Sequence, residues 1–223
     1  MSEIQFRPKY ISFDCYGTLI HYQMREAVVP LIEGRLSADQ IEEFLDLFRI
    51  YRADEILEYA PYDQILESSF RRTAKRFNLE VTDADVSVIT AALLTWGAHA
   101  DVLTPLAKMA ANFPLVILSN ADDRHLDVSV PKLGAPFQAV LTAEQAGAYK
   151  PRVQAFEYMF DALNAAPTDF LHISSHQRYD LMPAFDLGIK DKVFLDRGYD
   201  PELPHYEYFS TKTLEDVNTA LGI

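Results

Sequence analysis

The hydrophobic positions of this chain follow two different patterns. A short apolar run predicts a strand over residues 10–19, whereas from about residue 22 to residue 103 apolar side chains recur every three or four positions. This recurrence predicts helices around residues 41–51, 65–77 and 86–94. The first and the third follow N-cap sequences that begin at Ser37 and Thr82.

Beyond residue 103, short apolar runs alternate with amphipathic stretches. Strands are predicted at residues 114–118, 139–141, 170–173 and 192–195, and helices at 105–111, 153–163, 182–187 and 213–221. This alternation is typical of an α/β, Rossmann-like parallel sheet. The helical block interrupts it after the first strand. We therefore expect a core domain of residues 1–20 and 104–223, with an inserted helical cap domain of residues 21–103.

Charge and cysteine content restrict the function. The net charge of −13 and the lack of a basic tract argue against nucleic acid and anionic membranes as partners. An anionic substrate would need arginine and lysine side chains close to it. Cys15 is the only cysteine, so no intramolecular disulfide can form, and residues 1–9 lack the apolar core of a signal peptide. These features predict a cytoplasmic protein.

Polar side chains collect where the predicted strands end. They are Asp14 and Thr18 after the first strand, Ser119 and Asn120 after the second, Lys150 after the third, and Ser174, Ser175, His176 and Asp180 after the fourth. The carboxyl ends of parallel strands share one edge of the sheet, where ligands bind. The sequence therefore predicts one crevice that holds carboxylates, a lysine, hydroxyls and an amide. His172 lies inside an apolar run and is predicted to be a buried core histidine.

This ordered set resembles the haloacid dehalogenase superfamily. The motifs are Asp14-Cys15-Tyr16-Gly17-Thr18, Ser119-Asn120, Lys150-Pro151 and Asp180. The resemblance spans most of the chain, and it implies the parallel-sheet core and an inserted helical cap.

Tyr16 points to one branch of that superfamily, the type II L-2-haloacid dehalogenases. Superfamily phosphatases carry a second aspartate two residues after the first, as a general acid, and they use Mg²⁺. Here Tyr16 stands at that position, and the fourth motif has one acid rather than a pair. A halide leaves without a proton, so dehalogenation needs neither device. We therefore expect no metal and no cofactor.

The resemblance implies covalent catalysis on a small anionic 2-haloalkanoate. Asp14 attacks the carbon that bears the halogen, and water hydrolyses the resulting aspartyl ester to a 2-hydroxy acid. Lys150 pairs with Asp14, and Asp180 helps to place Lys150 and the hydrolytic water. The remaining roles are orientation of Asp14 by Thr18 and Ser175, and substrate or halide binding by Ser119, Asn120, Tyr16 and His176.

The family also uses a cap arginine to receive the halide. The aromatic-Arg pair Tyr51-Arg52 ahead of Leu57-Glu58-Tyr59 matches this pattern best, and Arg49 is the alternative one helical turn earlier.

Two positions depart from the branch. The dehalogenase branch has a tyrosine six residues after the lysine, and here Phe156 stands at that position. His176 stands where an asparagine usually follows the serine pair. His176 either hydrogen-bonds Lys150 or a water, or caps the following helix. Two other functions stay open, a Mg²⁺-dependent phosphatase of the same superfamily and a non-catalytic binding protein with this fold. A homodimer is also compatible with the family.

Overall fold

A parallel sheet of six strands forms the framework of the computed structural model, which describes residues 7–223. Its strands are β1 (Tyr10–Phe13), β2 (Leu115–Ser119), β3 (Ala139–Thr142), β4 (Phe170–Ser174), β5 (Asp191–Leu195) and β6 (Phe209–Thr211). Their spatial order is β3-β2-β1-β4-β5-β6, and every neighbouring pair is parallel. The predicted α/β fold is confirmed.

The strand order determines where ligands can bind. The connections reverse direction at β1, which pairs with β2 on one side and β4 on the other. Such a switch point opens a crevice outside the carboxyl ends of the strands. Asp14 follows β1 at this position, and Ser175 follows β4.

Helices cover the sheet because its strands are apolar on both faces. They are α5 (Leu103–Ala110), α6 (Asp123–Ser129), α7 (Ala143–Ala146), α8 (Val153–Leu163), α9 (Met182–Asp186) and α10 (Leu214–Ala220). One buried cluster joins β2, β3 and β4 to α8, α9 and the residues beside them, and it consists of Val116, Leu118, Leu141, Phe156, Met159, Phe170, Ala184 and Ile189.

The chain divides into two compact units. One contains the chain up to His21 and from Gly97 to Ile223, and the other is Tyr22–Trp96. The second unit is helical, with α1 (Met24–Ile32), α2 (Ala38–Glu55), α3 (Tyr62–Arg76) and α4 (Asp83–Ala92). Its core contains Phe44, Phe48 and Phe70, with the Phe70 ring centroid 5.7 Å from each of the other two.

Local sequence rules explain the starts of two of these helices. Ser37 and Gln40 form a reciprocal capping box before α2, and Thr82 and Asp85 form another before α4. Each box satisfies N–H groups that a helix start leaves unpaired. Both predicted N-caps are confirmed.

Three local features differ from the prediction. The first strand ends at Phe13 rather than near residue 19, because the chain turns at Asp14. The sequence pattern did not predict the short strand β6 or the helix α6, since neither carries a long periodic pattern.

The predicted absence of a signal peptide concerns residues 1–9, of which 1–6 lie outside the described residues. Within residues 7–223, no helix has the length and apolarity needed to cross a membrane.

We predict that Phe70→Ala destabilises the helical unit by about 3–5 kcal/mol, because the ring is fully buried and its loss leaves a cavity. The free energy of unfolding from urea titration measures this effect. Ile50→Ala, at a half-exposed position of α2, is the control and should change it by no more than about 0.5 kcal/mol. Equal effects of the two substitutions would contradict the packing described here.

Candidate active site

Asp14 lies at the carboxyl end of β1, where the chain enters a tight turn. Its backbone N–H donates to the Ile173 carbonyl, which joins the start of the turn to β4. Gly17 has a φ of +93°, a conformation that side chains disfavour, and a Cβ there would lie 2.8 Å from Nε2 of His176. The turn therefore needs glycine for its backbone and for the close approach of His176.

The Lys150 ammonium group lies between two carboxylates. Nζ donates to Asp14 Oδ1 at 2.9 Å, to Asp180 Oδ1 at 2.7 Å and to the Leu118 carbonyl at 2.7 Å. An ammonium group has three N–H donors, so all of them are used. Burial lowers the pKa of Lys150, but the charges of Asp14 and Asp180 outweigh it and raise the pKa above its usual value. The group is therefore a permanent cation beside Asp14.

Asn120 fixes the backbone of Lys150. Its Oδ1 accepts from the Lys150 N–H at 2.7 Å, and its Nδ2 donates to the Lys150 carbonyl at 2.8 Å. The sequence predicts that Asn120 binds the halide. The two bonds use the amide oxygen and one N–H, which leaves its second N–H available.

Thr18 and Ser175 hold the other oxygen of Asp14. Thr18 Oγ1 donates to Asp14 Oδ2 at 2.8 Å and accepts from the Ser175 backbone N–H at 3.0 Å. The two hydroxyl oxygens of Thr18 and Ser175 lie 3.1 Å apart. Because Thr18 has a single hydroxyl proton, which Asp14 accepts, Ser175 is the donor between the two hydroxyls.

Asp180 is fully buried within a π-helical turn, Gln177–Leu181. Single π-turns are rare and occur often at functional sites. Although burial raises the pKa of Asp180, Lys150 and a hydrogen bond from His172 outweigh it and hold the pKa well below its usual range. Asp180 is therefore a carboxylate at any working pH.

His172 is buried, as the sequence predicts, and it also contacts the site. Its Nε2 lies 3.0 Å from Asp180 Oδ1, and its Nδ1 lies 2.9 Å from Ser12 Oγ. Ser12 and His172 are register partners on β1 and β4. Both are polar residues inside apolar strands, and this is the signal that could have revealed them, since buried polar groups require partners.

The hydroxyl groups of Ser119 and Tyr16 differ in their hydrogen bonds. The Ser119 hydroxyl makes no hydrogen bond to any residue within 7–223, so it is available to a ligand. The Tyr16 hydroxyl lies 2.8 Å from Ser129 Oγ and 3.3 Å from the His125 carbonyl on α6. A contact of Tyr16 with a ligand would therefore involve its ring.

His176 lies against the turn after Asp14. Its Nε2 is 3.4 Å from the Tyr16 carbonyl, and its Nδ1 is 3.8 Å from Asp200 Oδ2. Burial lowers the pKa of His176, but the carboxylates of Asp200, Asp14 and Asp180 outweigh it and raise the pKa above its usual value. Asp200, which also accepts from the Gln177 N–H, has no signature in the sequence because it comes from a loop.

The helical unit distinguishes the two candidate arginines. The Arg52 guanidinium carbon lies 4.8 Å from the Phe48 ring centroid and 5.4 Å from that of Tyr22. Arg52 forms no ion pair with any described residue, and its Nε is buried without a hydrogen bond. Arg49 is exposed and lies 3.9 Å from Asp46. Arg52 is therefore a cation held by aromatic rings, with no carboxylate of its own.

The donor set around Asp14 is a poor match for a divalent cation. Among the described residues, no group of three or more histidine, cysteine or acidic side chains is arranged to hold a metal ion. The Lys150 ammonium group bonds both Asp14 and Asp180, and it would repel a cation between them. Cys15, next to Asp14, is fully buried, and burial strongly raises the pKa of its thiol, which is therefore unreactive.

His99 provides a pH-dependent contact to the same turn. Its Nε2 lies 3.2 Å from the Gly17 carbonyl. Burial and the charge of Arg197 lower the pKa of His99 to about 4. The unfolded chain, with a histidine pKa of about 6.5, binds more protons between these two values.

We predict that His99 makes the protein less stable as the pH falls from about 6.5 to about 4. His99→Gln, which keeps an N–H donor, should show a shallower fall over this window and match the wild type at pH 8. Urea unfolding at several pH values measures both slopes, and the difference between them cancels the shared titration of carboxylates. Parallel slopes would contradict the lowered pKa.

Comparison with known proteins now identifies the family. The family model of the haloacid dehalogenase-like hydrolases matches residues 8–188. The chain is 24% identical over 213 residues to (S)-2-haloacid dehalogenase 4A of Burkholderia cepacia, which covers 90% of this chain and 87% of that protein.

Solved structures share the fold. The L-2-haloacid dehalogenase RSc1362 superimposes with a TM-score of 0.82 at 20% identity, over 98% of this chain and all of that one. Magnesium-bound YfnB of Bacillus subtilis gives the same score at 18% identity and the same coverage. At such identities the likeness establishes the fold only. With the family model spanning most of its length, the chain belongs to the haloacid dehalogenase-like hydrolases and is an enzyme of that family.

Proposed function

We propose that this hydrolase cleaves the carbon–halogen bond of a short 2-haloalkanoate, with Asp14 as the nucleophile. The observation that carries the proposal is the set of hydrogen bonds to the two oxygens of the Asp14 carboxylate. Lys150 holds one of its oxygens and Thr18 the other, and no acid stands at position 16. Asp14 is thus a held nucleophile without the carboxylic acid that would protonate a leaving alkoxide from position 16.

The first step is a displacement at the carbon that bears the halogen. One Asp14 oxygen forms a bond to that carbon, and the halide leaves with the electron pair of the broken bond. Thr18 and Lys150 fix the carboxylate in one orientation, which lowers the entropic part of the barrier. No proton moves in this step, so a tyrosine at position 16 is compatible with it.

The second step is hydrolysis of the aspartyl ester. Water attacks the side-chain carboxyl carbon of Asp14, and the bond from that carbon to the substrate oxygen breaks. One water proton ends on the 2-hydroxy acid and the other is released, so the sum is one haloacid and one water giving hydroxy acid, halide and a proton. Asp180, ionised and adjacent to Lys150, is the group that accepts a proton from the water.

Positive charge and free donors receive the anions. In this scheme Arg52 takes the departing halide, since it pairs with no carboxylate among residues 7–223. Ser119 binds the substrate carboxylate through its available hydroxyl, Asn120 contributes its second N–H, and the Tyr16 ring adds an apolar contact. The raised pKa of His176 favours its positively charged form close to Asp14. These local charges offset the net charge of −13.

The two other functions have less support. A magnesium-dependent phosphatase of this family needs a second acid two residues after Asp14, and Tyr16 stands at that position. A binding protein has no need for a buried Lys150 with all three donors satisfied by the site. Homodimer formation and a cytoplasmic location stay predictions from the sequence.

We predict that the wild type releases halide from 2-haloacids in the presence of EDTA, and that Asp14→Asn lowers this rate by at least about 1,000-fold. Halide release from chloroacetate, bromoacetate and both enantiomers of 2-chloropropionate is the measurement. Intact mass of rapidly quenched wild type should show the ester. Magnesium-dependent phosphate release from phosphoesters without halide release would overturn the proposal, and so would inactivity in both assays.

The two arginines allow a matched comparison. We predict that Arg52→Gln lowers kcat/KM by about 100-fold, because a preorganised donor for the leaving halide is lost. Arg49→Gln, three positions earlier on the same helix, should stay within about twofold of the wild type, since that side chain is exposed. Halide-release kinetics measure both variants. Equal losses, or a larger loss for Arg49→Gln, would exclude Arg52 as the halide receptor.

A further inference from the structure

Asp180, the acid proposed for ester hydrolysis, has buried hydrogen-bond partners that lie outside the sequence motifs. A continuous chain of hydrogen bonds runs from Ser12 to His172, Asp180, Lys150 and Asp14. Every link measures 2.7–3.0 Å, and each of the five residues is at most 5% exposed. The chain begins deep in the sheet and ends at the nucleophile.

Hydrogen-bond chemistry gives the first half of this chain one direction. Asp180 is ionised and can only accept, so His172 must carry a proton on Nε2. In a neutral imidazole Nδ1 is then an acceptor, and the Ser12 hydroxyl, 2.9 Å away, is its donor. The acceptor-only Asp180 thereby selects the tautomer of His172, and the bond to Ser12 fixes the orientation of the imidazole ring.

The two oxygens of Asp180 are used unequally. Oδ1 accepts from both Lys150 and His172, whereas Oδ2 is buried without a hydrogen bond to any residue within 7–223. Two donors on a single oxygen oppose rotation of the carboxylate. The other oxygen is left as the one that can bind and deprotonate a water.

The surroundings of His172 link it to a departure from the family. The Phe156 ring lies edge-on to the imidazole, with centroids 5.3 Å apart. Phe156 is the position where the dehalogenase branch has a tyrosine, and here its ring carries no hydroxyl. His172 supplies a polar contact to Asp180 beside the ring that cannot provide one.

We propose that His172, oriented by Ser12, is a positioning residue that fixes Asp180 so that Oδ2 faces the water in ester hydrolysis. This inference rests on the proposed function. It assigns His172 to the second step, because Lys150 keeps its bonds to Asp14 and Leu118 without it.

We predict that His172→Phe keeps the first step and slows the second. In a single turnover with excess enzyme, halide release should stay within about threefold of the wild type. The steady-state rate should fall by about 10-fold or more, and the ester should accumulate in the intact-mass spectrum. His172→Gln, whose amide can donate from a similar position, should recover much of the rate. Ser12→Ala, which is less disruptive to folding, should give a smaller loss in the same step.

Three results would overturn the inference. They are a wild-type steady-state rate in folded His172→Phe, an equal loss in both steps, and no recovery in His172→Gln. A readout that needs no activity separates this test from that of the proposed function. In ¹³C-aspartate NMR titrations, the pKa of Asp180 should rise in His172→Phe relative to the wild type. If the wild type releases no halide, the proposed function fails, and an unchanged Asp180 pKa would then refute the support by His172 as well.

Discussion

The ion pair of one ammonium group with two carboxylates is the interaction on which this site depends. Lys150, Asp14 and Asp180 come from three separate parts of the chain and are almost fully buried. An unpaired charge in such a place costs several kcal/mol, so each of the three groups requires the others. The packing of the sheet edge and the pairing of Asp14 with Lys150 are therefore parts of one arrangement.

The same arrangement separates the roles of the two acids. Asp14 faces the crevice at the switch point of the sheet, and its oxygens are held by Thr18 and Lys150. Asp180 lies in a π-helical turn and is hydrogen-bonded by His172. In the proposed reaction the first acid attacks carbon and the second receives a proton. This division needs different environments for two identical side chains, which the sheet and the π-turn provide.

The residues proposed to bind anions differ in hydrogen bonding from those that hold Asp14. Lys150 is buried and uses all three of its N–H donors, whereas the Ser119 hydroxyl and the Arg52 Nε have no hydrogen-bond partner within residues 7–223. This distribution would suit the anionic substrate of the proposed reaction in a strongly acidic protein, because attraction must then come from a few nearby groups. Asn120 belongs to both groups, because it bonds the Lys150 backbone and keeps one amide N–H.

The sequence by itself determined the family, the parallel α/β fold, the capped helices and the residues that meet at the sheet edge. It could do so because strand ends, hydrophobic periods and motif spacing are local properties, and parallel strands bring their carboxyl ends together. The tertiary structure decided the rest. That Ser12 bonds His172, that Arg52 lies against Tyr22, and that Asn120 bonds Lys150 depend on contacts between residues distant in sequence. Such contacts are set by how strands and helices pack, and no local pattern encodes them.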